Sequence, residues 1–99
     1  MRKVRPSYPP DLQQALSELG AGLRELRLRR RIPMAGAADQ VLISRSTLHR
    51  VERGDPGVSL GIYASVLQRY GMLARLAALA EARFDPDRLP RRIRQADRA

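Results

Sequence analysis

Apolar residues recur at helical spacing along most of the chain. Leu12, Leu16, Leu19, Leu23 and Leu26 follow one another at intervals of four, three, four and three, while Gln13, Glu18, Arg24, Arg29 and Arg30 fall elsewhere. This predicts an amphipathic helix that ends before Pro33. Pro33 suits the first turn of a second helix, whose Ala35, Ala37, Ala38, Val41 and Leu42 can pack closely against neighbours. That helix must be short, because Ser44 reads as a new N-cap. The third helix then turns Leu48 and Val51 inward and stops at Gly54, and Asp55, Pro56 and Gly57 form a turn. Ser59 caps a fourth helix, with Ile62, Val66 and Leu67 inward, Tyr63 and Tyr70 partly so, and Gly71 as its stop. A fifth is expected from about Met72 to Arg83, carrying a stripe of Leu73, Leu76, Leu79 and Ala80 that a small domain does not fully cover.

Every element in this pattern is a helix, so the fold class is all-α, with the helical domain at 11–84. Residues 1–10 hold Arg2, Lys3 and Arg5 among three prolines and have no periodicity, which reads as a basic, flexible arm. Residues 85–99, polar and basic, read as a flexible tail. With 99 residues there is room for one domain with a modest core, which is why an uncovered leucine stripe points to a partner chain.

Composition then narrows the chemistry. There are 19 basic residues against 10 acidic, a formal charge of +9, and arginine fills every basic position but Lys3. Arginine grips phosphate through paired hydrogen bonds, so a nucleic acid is the natural partner, although arginine-rich coding also raises the charge of proteins with no such partner. There is no cysteine, which removes disulfides, thiolate metal sites and thiol nucleophiles and agrees with a reducing compartment. No apolar run approaches the roughly 18 residues of a membrane span, and the first ten residues lack the apolar centre of a signal peptide; a cytoplasmic protein is expected.

Catalysis and cofactors are not expected. His49 is the single histidine, so an exposed or DNA-facing imidazole is favoured over a metal ligand. Ser44, Ser46 and Thr47 have no relay to activate them and read as caps or DNA contacts rather than nucleophiles. Asp85 and Asp87 around Pro86 read as a solvated turn rather than a metal loop. Tyr63 and Tyr70 read as packing residues rather than base-stacking ones. Arg29, Arg30 and Arg31 are equally readable as phosphate contacts and as cations at the negative end of a helix dipole.

Two short helices joined by a tight turn, the second presenting Ser44, Arg45, Ser46, His49 and Arg50 outward, have the layout of a helix-turn-helix whose second helix enters the major groove of DNA. Arg45 and Arg50 can hold guanine O6 and N7 with both arms, whereas Ser44, Thr47 and the arm residues Arg2, Lys3 and Arg5 suit phosphates. A nonspecific RNA-binding role differs in having no preference for a duplex operator.

Over residues 16–71 the segments "LRELRLRRRI", "AADQVLISRSTLHRVERG" and "SLGIYASVLQRYG" resemble the XRE family of lambda-repressor-like regulators. The resemblance implies a five-helix domain in which Arg45, Ser46 and Arg50 take base-reading positions with His49 beside them, and Ser44 a phosphate-contacting one. It further implies a buried ion pair between Arg27 and Glu52. Two departures stand out: Pro33 and Met34 replace the threonine and glutamine that often open the second helix, and Leu42 replaces the usual turn glycine. Leu42 is therefore expected in a strained backbone conformation or a slightly different turn. A narrower resemblance, carried by "ERGDPGVSLG", "VLQRYGM" and "RLPRRIR", is to HipB-like antitoxins. It implies a homodimer that represses a palindromic operator with half-sites about one helical turn apart and restrains a HipA-type serine/threonine kinase. The runner-up is an XRE-type regulator without a kinase. Leu73, Leu76 and Leu79 are then a dimer seam or a kinase-binding face, and the sequence leaves that choice open.

Overall fold

Five helices follow one another in the computed structural model, which describes residues 7–81: α1 (Pro10–Arg29), α2 (Met34–Gln40), α3 (Arg45–Glu52), α4 (Leu60–Arg69) and α5 (Leu73–Ala78). Arg2, Lys3 and Arg5, the expected tail and the expected end of the fifth helix at Arg83 lie outside the described residues. The starts follow local chemistry. Pro10 opens α1, where its missing N–H costs nothing, and Asp11 sets a negative charge against the positive end of the helix. Ser44 and Ser59 cap α3 and α4, their hydroxyls accepting from the Thr47 N–H at 2.9 Å and the Ile62 N–H at 3.2 Å. Pro33 precedes α2 as its N-cap rather than filling its first turn, with extended backbone that suits the residue ahead of a helix.

The four connections between helices share one device for stopping a helix. At Arg31, Leu42, Gly54 and Gly71 the backbone turns left-handed, with φ of 55°, 58°, 73° and 74°. At each stop the left-handed residue donates to the carbonyl three back and the next residue to the carbonyl five back, as in Leu42 to Asp39 and Ile43 to Ala38. This is the Schellman arrangement, and it satisfies carbonyls that a helix end otherwise leaves open. Leu42 thus adopts the strained conformation and keeps the turn as well. Arg31 does the same without any sequence cue; its cationic side chain is displayed by a stop that glycine would make at less cost.

The core is built from Leu23 of α1, Ala37 and Ala38 of α2, Leu48 and Val51 of α3, Val58, and Tyr63, Val66, Leu67 and Tyr70 around α4. Tyr63 and Tyr70 are buried, more deeply than their pattern suggests, and Tyr63 meets its polar need by donating to the Asp55 carbonyl at 2.8 Å. Leu42 is 93% exposed, contrary to its expected packing, because the left-handed turn throws its side chain outward. Ala35 is also exposed and Leu12 largely so.

α1 and α3 approach so closely that backbone meets backbone. A Cβ on Gly20 would stand 2.6 Å from the Gly54 nitrogen and the Val51 oxygen, and one on Gly54 would collide with the backbone of Leu16 and Ser17. The seam therefore requires glycine on both sides.

The fifth helix is shorter than expected. It spans Leu73–Ala78, after which Leu79 and Ala80 form a turn. Among the described residues of this region only Met72 and Leu76 pack on the core, so carrying the helix on through Leu79 and Ala80 would fix backbone without burying their side chains. Of the predicted stripe, Leu76 is half-buried, while Leu73 and Leu79 are 40% and 77% exposed.

Candidate nucleic-acid interface

The third helix divides sharply into two faces. Leu48, Val51 and Glu52 are buried, and Arg45, Ser46, His49 and Arg50 are exposed. What fixes that division is an ion pair in the α1–α3 seam. Arg27 Nε donates to Glu52 Oε2 at 2.8 Å and Nη2 to Oε1 at 3.1 Å, with both residues 6% exposed. The third arm of the guanidinium, Nη1, donates to the Ile32 carbonyl at 3.0 Å, so the same side chain also holds the link into α2. Hydrogen bonding to Glu52 and its charge raise the Arg27 pKa above its ordinary value, outweighing the opposing effect of burial. A bidentate pair of this kind resists rotation of α3 about its axis.

On the outer face the candidate residues are not equivalent. Arg45, Ser46 and His49 stand exposed at the start and middle of α3. Ser44 and Thr47 are occupied with each other: the Ser44 hydroxyl accepts from the Thr47 N–H and donates to Thr47 Oγ1 at 2.8 Å, leaving the half-buried Thr47 hydroxyl proton as the one this pair can offer outward. Arg50 is tethered. Its Nε donates to Asp55 Oδ2 at 2.8 Å, which draws the guanidinium over the turn between α3 and α4.

Two neighbours of this surface escaped the sequence reading. Arg53, exposed on the C-cap of α3, lines an open cleft with Arg50, Asp55, Gln13 and Ser17. Its position four residues after His49 and eight after Arg45 was the available cue. Asp55 was read as a turn former alone; only the folded turn reveals its grip on Arg50. Two other cations have partners within the fold. Arg29 pairs with Glu25 one helical turn back at 2.7 Å, and the Arg30 guanidinium lies 5.3 Å from the centre of the Tyr70 ring. Among the described residues no helix is long and apolar enough to cross a membrane, and no three His, Cys, Asp or Glu side chains gather as a metal site.

A short helix pinned on one side, with arginines and hydroxyls on the other, following a second short helix through a tight turn, defines a helix-turn-helix DNA-binding domain. The chain belongs to the helix-turn-helix domain family, whose profile matches residues 18–82, well over half of its length. No curated protein matches the chain, and no solved structure does.

Proposed function

We propose that the protein is a sequence-specific transcriptional repressor of the XRE type, binding a palindromic operator as a homodimer. The observation that carries this reading is the two-faced α3: a buried ion pair holds its inner side to α1 while Arg45, Ser46 and His49 project from the outer side. Arg45 and Arg50 read bases with Ser46 and His49 beside them, and the Ser44–Thr47 pair, through the Thr47 hydroxyl proton, joins Arg2, Lys3 and Arg5 in contacting phosphates. The exposed Leu73 and Leu79 on and after α5 supply the seam between copies. The resemblance of "ERGDPGVSLG" and "VLQRYGM" to HipB-like antitoxins supports a second partner, a HipA-type kinase whose operon the dimer represses. Copurification with the product of a neighbouring kinase gene separates that role from a stand-alone regulator.

The central test is Arg45→Ala, measured against a duplex selected from a random pool by the parent protein and against a scrambled duplex, over a range of salt. Loss of one bidentate arginine–guanine contact is expected to cost about 1–3 kcal/mol on the selected duplex and to relax preference at one base pair per half-site. Equal weakening on both duplexes would make Arg45 a phosphate clamp and refute its assignment.

A further inference from the structure

The turn after α3 is more elaborately built than a connection requires. Asp55 is held there from several sides. Its Oδ2 accepts from Arg50 Nε at 2.8 Å, its Oδ1 accepts from the Gly57 N–H at 2.7 Å, and its carbonyl accepts from the buried Tyr63 hydroxyl at 2.8 Å. The carboxylate is therefore anchored through the turn to the core before it meets Arg50. Gly57 keeps the space open: a Cβ there would lie 3.1 Å from Arg50 Nη2 and 3.1 Å from Asp55 Oδ1.

An exposed arginine paired with a freely moving carboxylate gains little, because both side chains lose rotamer freedom. Here one partner is already fixed, so the pair orders Arg50 at reduced cost. The contact takes the Nε proton. With Nε engaged, the side-on fork of Nε and Nη2 is closed to a ligand, and only the end-on fork of Nη1 and Nη2 remains to face two acceptors such as guanine O6 and N7.

We infer that Asp55 is a positioning residue that sets the specificity of Arg50, holding its guanidinium so that it meets DNA by its end-on fork. This rests on the DNA-binding reading above and adds to it a residue that touches no base. Asp55→Asn separates the two duties of the side chain. An asparagine carbonyl still accepts from the Gly57 N–H and keeps the turn, but its amide turns a donor toward Arg50 Nε and releases it.

The experiment measures the ratio of affinities for the parent-selected duplex and a scrambled duplex of equal length, with thermal melts in parallel. Asp55→Asn is expected to melt near the parent and to lower the ratio by about fivefold or more, the low end of what a bidentate arginine–guanine contact contributes. In an Arg50→Lys background, which keeps the charge and lacks the fork, the same change is expected to leave the ratio unaltered. Gly57→Ala, which crowds Arg50 Nη2 without changing any charge, should move the ratio in the same direction and serves if Asp55→Asn does not fold. An unchanged ratio in Asp55→Asn, or an equal fall in the Arg50→Lys background, would overturn the inference while leaving the DNA-binding reading intact. A parent that prefers no duplex would overturn both.

Discussion

Two glycines in α1, two residues apart and so on opposite sides of the helix, should respond to the same substitution with opposite signs. Gly20 and Gly22 both lie inside the helix Pro10–Arg29, where replacing glycine by alanine gains about 0.5–1 kcal/mol from helix propensity alone. At Gly22 an added Cβ meets nothing within 4 Å, so Gly22→Ala is expected to stabilise by roughly that amount. At Gly20 the Cβ would lie 2.6 Å from Gly54 N, 2.6 Å from Val51 O and 2.7 Å from Glu52 O. All three are backbone atoms, which cannot relieve the clash by changing rotamer, so α3 must move away from α1. Overpacking of this kind costs about 1–3 kcal/mol, and displacement of Glu52 would also lengthen its bonds to Arg27. Set against the propensity gain, Gly20→Ala should destabilise by up to about 2 kcal/mol, and because both variants share that gain they should lie about 1–3 kcal/mol apart. For a domain of this size that separates their melting temperatures by roughly 5–25 °C. Urea titration and thermal melting followed by far-UV circular dichroism read both numbers. If Gly20→Ala gains stability in step with Gly22→Ala, the backbone contact between α1 and α3 is not part of the folded domain.

Glu52→Ala should cost about 3–5 kcal/mol by stranding the buried Arg27, whereas the joint change Arg27→Met with Glu52→Leu should recover most of the loss; melts in which the single variant matches the parent would refute the pairing. Burial pushes the phenols of Tyr63 and Tyr70 above the ordinary 10.0, so their contribution is fully present below that pH and is lost as pH rises through the raised folded values. In a Tyr8→Phe background, tyrosinate absorbance should therefore rise together with unfolding in an alkaline titration, and ionisation of both at constant helicity would count against their burial. Leu73→Asp with Leu79→Asp, at positions 40% and 77% exposed, should convert the proposed homodimer to folded monomers in sedimentation equilibrium. Dimers that persist would move the seam elsewhere.

The elements that announced themselves in the sequence were those with local chemistry. Ser44 and Ser59 mark the starts of α3 and α4, and Gly54 and Gly71 mark their ends, because capping is decided by neighbours within a turn. The inward direction of Leu48 and Val51 follows from helical period alone. What stayed hidden depended on distant partners. Arg31 carries no mark of a left-handed stop, since that conformation is imposed by the chain leaving α1 for α2. Gly20 reads as a flaw in the helix until the backbone of α3 is set beside it. The short α5 reflects missing core contacts rather than poor helix formers, and leucines and alanines invite extension that packing does not support. Within the candidate site, the identity of the α3 face was legible. The tether of Arg50 by Asp55 was not, because it needs the turn's folded shape.

The contact of Gly20 with Gly54 also bears on how the chain assembles. Helices and their stops form from near neighbours within about a microsecond, while joining α1 to α3 requires closure of the chain between them. A backbone-to-backbone fit has no loose version: α3 must already end in its left-handed turn at Gly54 before that turn can settle beside Leu16 and Gly20. Docking of α1 onto a formed α2–α3 pair is thus expected to gate folding. An alanine at Gly20 should then slow folding as well as speed unfolding, because the atom it adds stands in the contact that the transition state is making.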